Sequence, residues 1–167
     1  MLRTIELYFL LFFTYSVLGW IMEVTKTLID KKKFVNRGFL IGPYCPIYGY
    51  GVILLTILLK KYQSDIPATF IFSILICGTL EYFTSYFMEK IFHARWWDYS
   101  KRKFNINGRI CLETLLPFGI MGCLILYIVN PVFLNIYSKM PDLALHIICG
   151  MLLVIYITDN IISGKII

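Results

Sequence analysis

Residues 93–113 read HARWWDYSKRKFNINGRICLE and lie between two long apolar runs. The stretch begins with a histidine and two tryptophans, crosses three consecutive cations, and enters the next apolar run through Asn107-Gly108-Arg109. Tryptophan and tyrosine favour the boundary between hydrocarbon and water, and lysine and arginine reach lipid phosphates from there. The pattern predicts a polar loop at a membrane surface. That loop either is only an interfacial anchor or contains a headgroup or ligand site at the cytoplasmic face.

The composition of the whole chain is too apolar for a soluble domain, because 59% of its 167 residues are hydrophobic and 16% are charged. A helix needs about 20 apolar residues to cross ~30 Å of hydrocarbon. Runs of this length occupy residues 6–25, 39–59, 66–89, 111–137 and 143–163. The sequence therefore predicts one membrane domain over residues 1–167, an all-α polytopic bundle of about five transmembrane helices.

The basic residues flank the apolar runs instead of forming a basic groove, so the net charge of +6 predicts contact with anionic lipid headgroups and no nucleic-acid partner. Most of them follow the first and third runs. The positive-inside rule then predicts that both of these loops are cytoplasmic, with the N-terminus outside and the C-terminus in the cytoplasm of a multi-pass cell-membrane protein.

The five cysteines stand singly in or beside apolar runs, without the spacing of a zinc site or a Cys-x-x-Cys pair. We therefore predict neither a metal nor another cofactor. Buried thiols that pack as small hydrophobic groups are the expected state.

The second apolar run is interrupted between residues 38 and 51, where two prolines and four glycines stand. Proline removes a backbone donor and clashes with the preceding turn, so we predict that helix two is broken here. A membrane tolerates such a break only where the freed backbone groups find partners, and in transporters it often marks a substrate site. The alternative is a kinked helix that packs on its neighbours.

The third apolar run contains a polar stripe with a step of four residues, which is one helix face. Its members are Ser73, Cys77, Glu81, Ser85 and Glu89. Glu81 lies well inside the run, where an unpaired carboxylate is costly, so we expect it to face the bundle interior, to be paired or to be protonated. A functional role is the default hypothesis for such a residue. A structural pair with Arg37, Arg95 or Arg109 is the alternative.

The candidate substrate-binding residues are polar or aromatic groups near the end of helix one, the broken helix, the third helix and the polar loop. They are Glu23, Asn36, Arg37, Tyr44, Tyr48, Glu81, His93, Arg95, Trp96, Trp97, Asp98, Tyr99, Asn107 and Arg109. In a transport subunit, Glu23 and Glu81 would respond to protons or cations. Three arginines, Arg37, Arg95 and Arg109, would hold an anionic group.

Two other functions stay open. His93 and Asp98 could act as acid and base in a membrane enzyme for a lipid or lipid-linked headgroup, although the sequence contains no recognisable catalytic signature. Alternatively, the chain is a non-catalytic assembly or regulatory protein whose polar stripe only holds helices together.

Several long strings carry a resemblance to a known family. They are Gly19-Trp20-x-x-Glu23, residues 34–39, residues 42–49, Glu81-Tyr82 with Glu89, residues 93–100 and residues 107–112. In these strings the chain resembles the small membrane proteins named putative ABC-transporter type IV, or CmpB-like. The resemblance implies a permease-like component. Because the sequence lacks the Gly-x-x-x-x-Gly-Lys-Ser/Thr phosphate loop, an ATPase would be a separate partner. Five helices are few for a complete path, so we also expect a second membrane subunit or a homo-oligomer.

Overall fold

The computed structural model describes residues 1–36 and 38–166. The helices of this part of the chain are α1 Leu2–Lys31, α2 Pro46–Leu58, α3 Ile66–Phe92, α4 Leu112–Leu124, α5 Asn130–Ser138 and α6 Asp142–Ile166. A short 3₁₀ turn, Lys60–Tyr62, follows α2, and an antiparallel hairpin of β1 Asn105–Ile106 and β2 Ile110–Cys111 precedes α4. A π-helical segment, Ile125–Val129, joins α4 to α5. The prediction of an all-α membrane fold is confirmed.

Four spans in the described part of the chain are long and apolar enough to cross a membrane: α1, α3, α6 and the continuous stretch Leu112–Ser138. Helix α2 is shorter, with 13 residues, so it extends ~20 Å against the ~30 Å of a hydrocarbon core. The predicted second run, 39–59, is helical only from Pro46. Proline fits the first turn of a helix, where its missing donor would be unpaired anyway, and it disfavours helical backbone in the residue before it.

The chain divides into two compact units. We call residues Met1–Ile53 with Val132–Ile167 the terminal unit and residues Leu54–Pro131 the central unit. In the terminal unit, α1 and α6 run in the same direction, because Glu6 meets His146 near their starts and Phe12 meets Tyr156 further along. In the central unit, α3 packs against α4, and Leu55, Leu59 and Leu126 form a buried cluster.

The terminal unit contains a close crossing of α1 and α2. At Gly49 an added Cβ would collide with the Phe12 carbonyl oxygen and with Ser16 Oγ. The Ser16 hydroxyl donates to the Phe12 carbonyl at 2.7 Å, and the Ser16 carbonyl accepts from the Cys45 N–H at 2.8 Å. Small residues thus let the two backbones approach each other closely.

Candidate functional site

The polar loop between α3 and α4, residues 93–111, is folded around a tight turn. The Arg109 N–H donates to the Ile106 carbonyl at 2.9 Å, and the two residues between them, Asn107 and Gly108, have positive φ of 53° and 69°. Asn-Gly is the pair that a type I′ hairpin turn prefers, because both positions need left-handed backbone. This hairpin was missed by the sequence analysis, although the Asn-Gly pair was its available signal.

Two arginines of the polar loop converge on Glu89 near the end of α3. Arg109 Nη2 donates to Glu89 Oε2 at 2.5 Å, and Arg95 Nε donates to Glu89 Oε1 at 2.8 Å. The Arg109 side chain is only 10% exposed, and its Nη1 also donates to Ser85 Oγ at 3.2 Å. Such charge-assisted bonds are stronger than neutral ones, so this cluster ties the polar loop to α3.

Aromatic rings of α3 complete the environment of Arg109. Its guanidinium carbon lies 5.8 Å from the ring centre of Tyr82 and 5.4 Å from that of Tyr86, within the range of a cation–π interaction. The Tyr82 hydroxyl accepts from Asn107 Nδ2 at 2.8 Å. Two of the candidate binding residues, Asn107 and Arg109, therefore contact α3.

Glu81 lies inside α3 and is 8% exposed. Its Oε1 accepts a hydrogen bond from the Tyr99 hydroxyl of the polar loop at 3.0 Å. On the same polar stripe, Ser73 and Ser85 are buried as well. The structure thus brings two candidate residues, Glu81 and Tyr99, into direct contact across the interface between helix and loop.

The first part of the polar loop contains the other aromatic candidates. Trp97 Nε1 donates to the Arg109 carbonyl at 3.0 Å, while Trp96 packs edge-on against Phe92 with ring centres 6.0 Å apart. His93 ends α3 in the left-handed conformation, with φ of 54°, and is exposed.

Asp98 stabilises a local turn of the loop. Its Oδ1 accepts from the Ser100 hydroxyl at 2.5 Å and from the Ser100 N–H at 2.9 Å, and Arg95 Nη1 lies 3.9 Å away. The hydrogen bonds from Ser100, with the nearby charge of Arg95, lower the pKa of Asp98 below its usual value. The carboxylate therefore favours the folded loop only while it is ionised.

We expect the loop to loosen in acid. A carboxyl group whose pKa is lower in the folded state stabilises that state above its unfolded pKa of about 3.9, and this contribution is lost as the pH falls through the folded pKa. Tryptophan emission from Trp96 and Trp97 in reconstituted protein should therefore change reversibly below about pH 4. Asp98→Asn removes the titrating group, so the change in tryptophan emission at low pH should be smaller in this variant than in the wild type. An identical acid transition in Asp98→Asn would contradict this assignment.

The terminal unit contains the remaining described candidates, near the end of α1 and the start of α2. Glu23 Oε1 accepts from the Tyr48 hydroxyl at 2.6 Å. Asn36 Oδ1 accepts from Trp20 Nε1 at 2.8 Å, and its Nδ2 donates to the carbonyls of Leu40 and Ile41 at 3.2 and 3.1 Å. The amide of Asn36 thus organises the non-helical segment before α2. Arg37, the third cation proposed for anion binding, lies outside the described residues.

Asp159 of α6 makes polar contacts near the start of α2, although it is not among the predicted binding residues. Its carboxylate accepts from the backbone N–H groups of Ile41 and Gly42 at 3.1 and 2.9 Å, and from the Tyr44 hydroxyl at 2.6 Å. These bonds satisfy backbone donors that the break before α2 leaves without helical partners. No short-range pattern indicates a contact across more than a hundred residues.

The candidate residues therefore form two sets, one in each unit. The terminal set consists of Glu23, Asn36, Tyr44 and Tyr48, and the central set of Glu81, His93, Arg95, Trp96, Trp97, Asp98, Tyr99, Asn107 and Arg109. All five cysteines are free thiols, and Cys45, Cys111 and Cys149 are buried. Within residues 1–36 and 38–166, the His, Cys, Asp and Glu side chains form no group of three or more that could hold a metal ion.

Neither a curated protein nor a solved structure matches the chain. A family model described as "Putative ABC-transporter type IV" matches residues 10–164, the family that the sequence motifs resemble. Because this match covers nearly the whole chain, and four of its described spans are long and apolar enough to cross a bilayer, the protein belongs to the putative ABC-transporter type IV family of membrane proteins.

Proposed function

We propose that this chain is the membrane permease or substrate-binding subunit of a transport system, and that Glu81 and Tyr99 form its polar intramembrane site, open to the cytoplasmic face. The observation that carries the proposal is the hydrogen bond of 3.0 Å between the buried Glu81 carboxylate and the Tyr99 hydroxyl. The family description supports a transport role in general terms.

The physical argument starts from the cost of the carboxylate. An acidic side chain at the centre of a membrane helix costs about 2.5–3.5 kcal/mol on insertion scales, so such residues mark ion or substrate pathways by default. Glu81 accepts from a neutral hydroxyl that belongs to a loop rather than to a second helix. A proton, a metal cation or an organic ammonium group would compete with the Tyr99 hydroxyl for Glu81. Binding would then be coupled to release of the loop at Tyr99.

The two loop arginines have a different role in this proposal. Arg95 and Arg109 donate to Glu89, and Arg109 also donates to Ser85. We propose that they fix the polar loop against α3, so that Tyr99 meets Glu81. Their use in holding a substrate anion stays a prediction.

The proposal also includes a separate ATPase or a second membrane subunit. The chain contains no phosphate loop of the Gly-x-x-x-x-Gly-Lys-Ser/Thr type, so it would not hydrolyse ATP through that motif. We further propose that the role is binding and passage rather than catalysis. Unchanged levels of every lipid after incubation with purified protein would agree with this, whereas turnover that is lost in His93→Ala would contradict it.

We expect Glu81→Gln to abolish ligand binding without unfolding the protein. The test measures the Tm of purified protein in detergent with each member of a panel of K⁺, Mg²⁺, choline, spermidine and lysine. A ligand present at about 100 times its Kd stabilises by about 2.7 kcal/mol, which should raise Tm by several degrees. The wild type should show such a rise with at least one probe, and Glu81→Gln should show none.

The matched control is Glu113→Gln. It removes one carboxylate as well, but Glu113 is 57% exposed and pairs with Arg102 at the surface. Its ligand response should equal that of the wild type. If Glu81→Gln responds to the same probe as strongly as the wild type, or if no probe shifts the wild type, Glu81 is a structural group and the permease assignment fails.

A further inference from the structure

Two short segments of the chain share one order of residue types. The first basic tip, Lys31–Val35, begins at the last residue of α1, and the second basic tip, Lys101–Ile106, lies in the polar loop after α3. Each begins with three consecutive cations, which are directly followed by a phenylalanine, Phe34 or Phe104. The six cations are all exposed. Each unit therefore contains one such tip.

The apolar side chains of the tips are exposed as well. Phe34 is 67% exposed and Val35 39%, while Phe104 is 80% exposed and Ile106 55%. Fully burying a phenylalanine side chain is worth about 1.5–3 kcal/mol, so these side chains leave a favourable contact unmade within their units. Exposed rings among lysines are typical of segments that lie in a membrane interface.

Each tip is held in its conformation by contacts within its own unit. Lys32 has a φ of 52° and its N–H donates to the Leu28 carbonyl at 2.9 Å, while the Phe34 ring contacts that of Trp20. Phe104 has a φ of 51°, which is uncommon for a bulky residue. Asn105 Nδ2 beside it donates to the Arg102 carbonyl at 2.7 Å. The exposed rings therefore belong to turns whose conformation is stabilised by hydrogen bonds.

We propose that each basic tip docks on an anionic lipid surface, where its cations contact phospholipid phosphates and its phenylalanine, Phe34 or Phe104, enters the interface. Two observations favour anionic lipid over a soluble acidic protein as the partner of the tips. In each tip the cations stand next to an exposed apolar ring, whose contact with water is unfavourable. Each tip also comes after a helix that is long and apolar enough to span a bilayer. An anionic bilayer offers both the charge and the apolar layer.

The test uses energy transfer from the native tryptophans to lipids with a pyrene-labelled acyl chain. Trp20 contacts the first tip, and Trp96 and Trp97 precede the second. The full chain is reconstituted in nanodiscs that mix phosphatidylglycerol with phosphatidylcholine, and either lipid is the labelled one. Transfer to phosphatidylglycerol should exceed transfer to phosphatidylcholine. High salt should reduce this preference because it screens surface charges.

Two double variants test the tips separately: Lys101→Gln with Lys103→Gln, and Lys31→Gln with Lys33→Gln. Each should weaken the local preference for phosphatidylglycerol by about fivefold per lysine, the fold-change that corresponds to about 1 kcal/mol. The matched control, Lys60→Gln with Lys61→Gln, removes the same charge from a turn whose aromatic ring, Tyr62, is partly buried against Phe72 instead of exposed. In this control, energy transfer from Trp20, Trp96 and Trp97 should prefer phosphatidylglycerol as strongly as in the wild type.

A second measurement separates the ring from the charges. Phe104→Ser keeps every cation of the second tip, and it should lower the transfer that remains at high salt, because that part comes from the apolar contact. Equal transfer to the two lipids in the wild type, or an unchanged preference in both lysine variants, would overturn the proposal. The tips would then have to serve a soluble partner instead.

Discussion

Alanine in place of Gly49 is expected to lower the free energy of unfolding by about 3 kcal/mol, the upper part of the range for overpacking a tight interface. The new Cβ would overlap the Phe12 carbonyl oxygen and Ser16 Oγ of α1, so the helices would have to move apart. A backbone carbonyl cannot rotate away as a flexible side chain can. Unfolding of the reconstituted protein in mixed micelles, followed by circular dichroism, measures the change.

The control for this substitution is Gly150→Ala in α6. An added Cβ there meets nothing within 4 Å, and alanine is the better helix former by about 1 kcal/mol. Gly150→Ala should therefore leave stability unchanged or raise it slightly. Similar losses in the two variants would mean that the loss at Gly49 does not come from the α1–α2 crossing.

Methionine in place of Arg109 is expected to release the polar loop from α3. Methionine keeps a long unbranched side chain in the site but removes the hydrogen bonds to Glu89 and Ser85 and the cation that faces two tyrosine rings. Arg109 is 10% exposed, but Glu89 is 33% exposed and keeps Arg95, so the substitution should destabilise the loop by more than the loss of a surface ion pair does. Amide hydrogen exchange of residues 95–111 should accelerate strongly.

The matched control is Arg102→Met in the same loop. Arg102 pairs with Glu113, but their side chains are 61% and 57% exposed, and such surface pairs contribute about 0–1 kcal/mol. Exchange of the loop should therefore hardly change in Arg102→Met. Fast exchange in both variants would show that any lost cation opens the loop. Slow exchange in both would mean that Glu89 and Arg109 do not hold it.

The sequence was sufficient for the class of fold, an all-α membrane protein. Hydrophobic runs of membrane length depend only on neighbouring residues, and the observed span Leu112–Ser138 differs by one residue at each end from the predicted run 111–137. Likewise, proline chemistry is local, so the break in the second run was predictable, although its form was not: residues 39–45 are non-helical and α2 begins at Pro46.

The sequence did not predict which distant polar groups pair with each other. The four-residue step placed Glu81 and Glu89 on one helix face, yet nothing local indicated that Arg109 and Arg95 would meet Glu89 while Tyr99 meets Glu81. Asp159 and the Ile41 amide are 118 residues apart in the chain. The helix face on which a side chain lies depends only on its own helix. Its partner depends on how separate segments fold back on one another, which is decided by the packing of the whole unit.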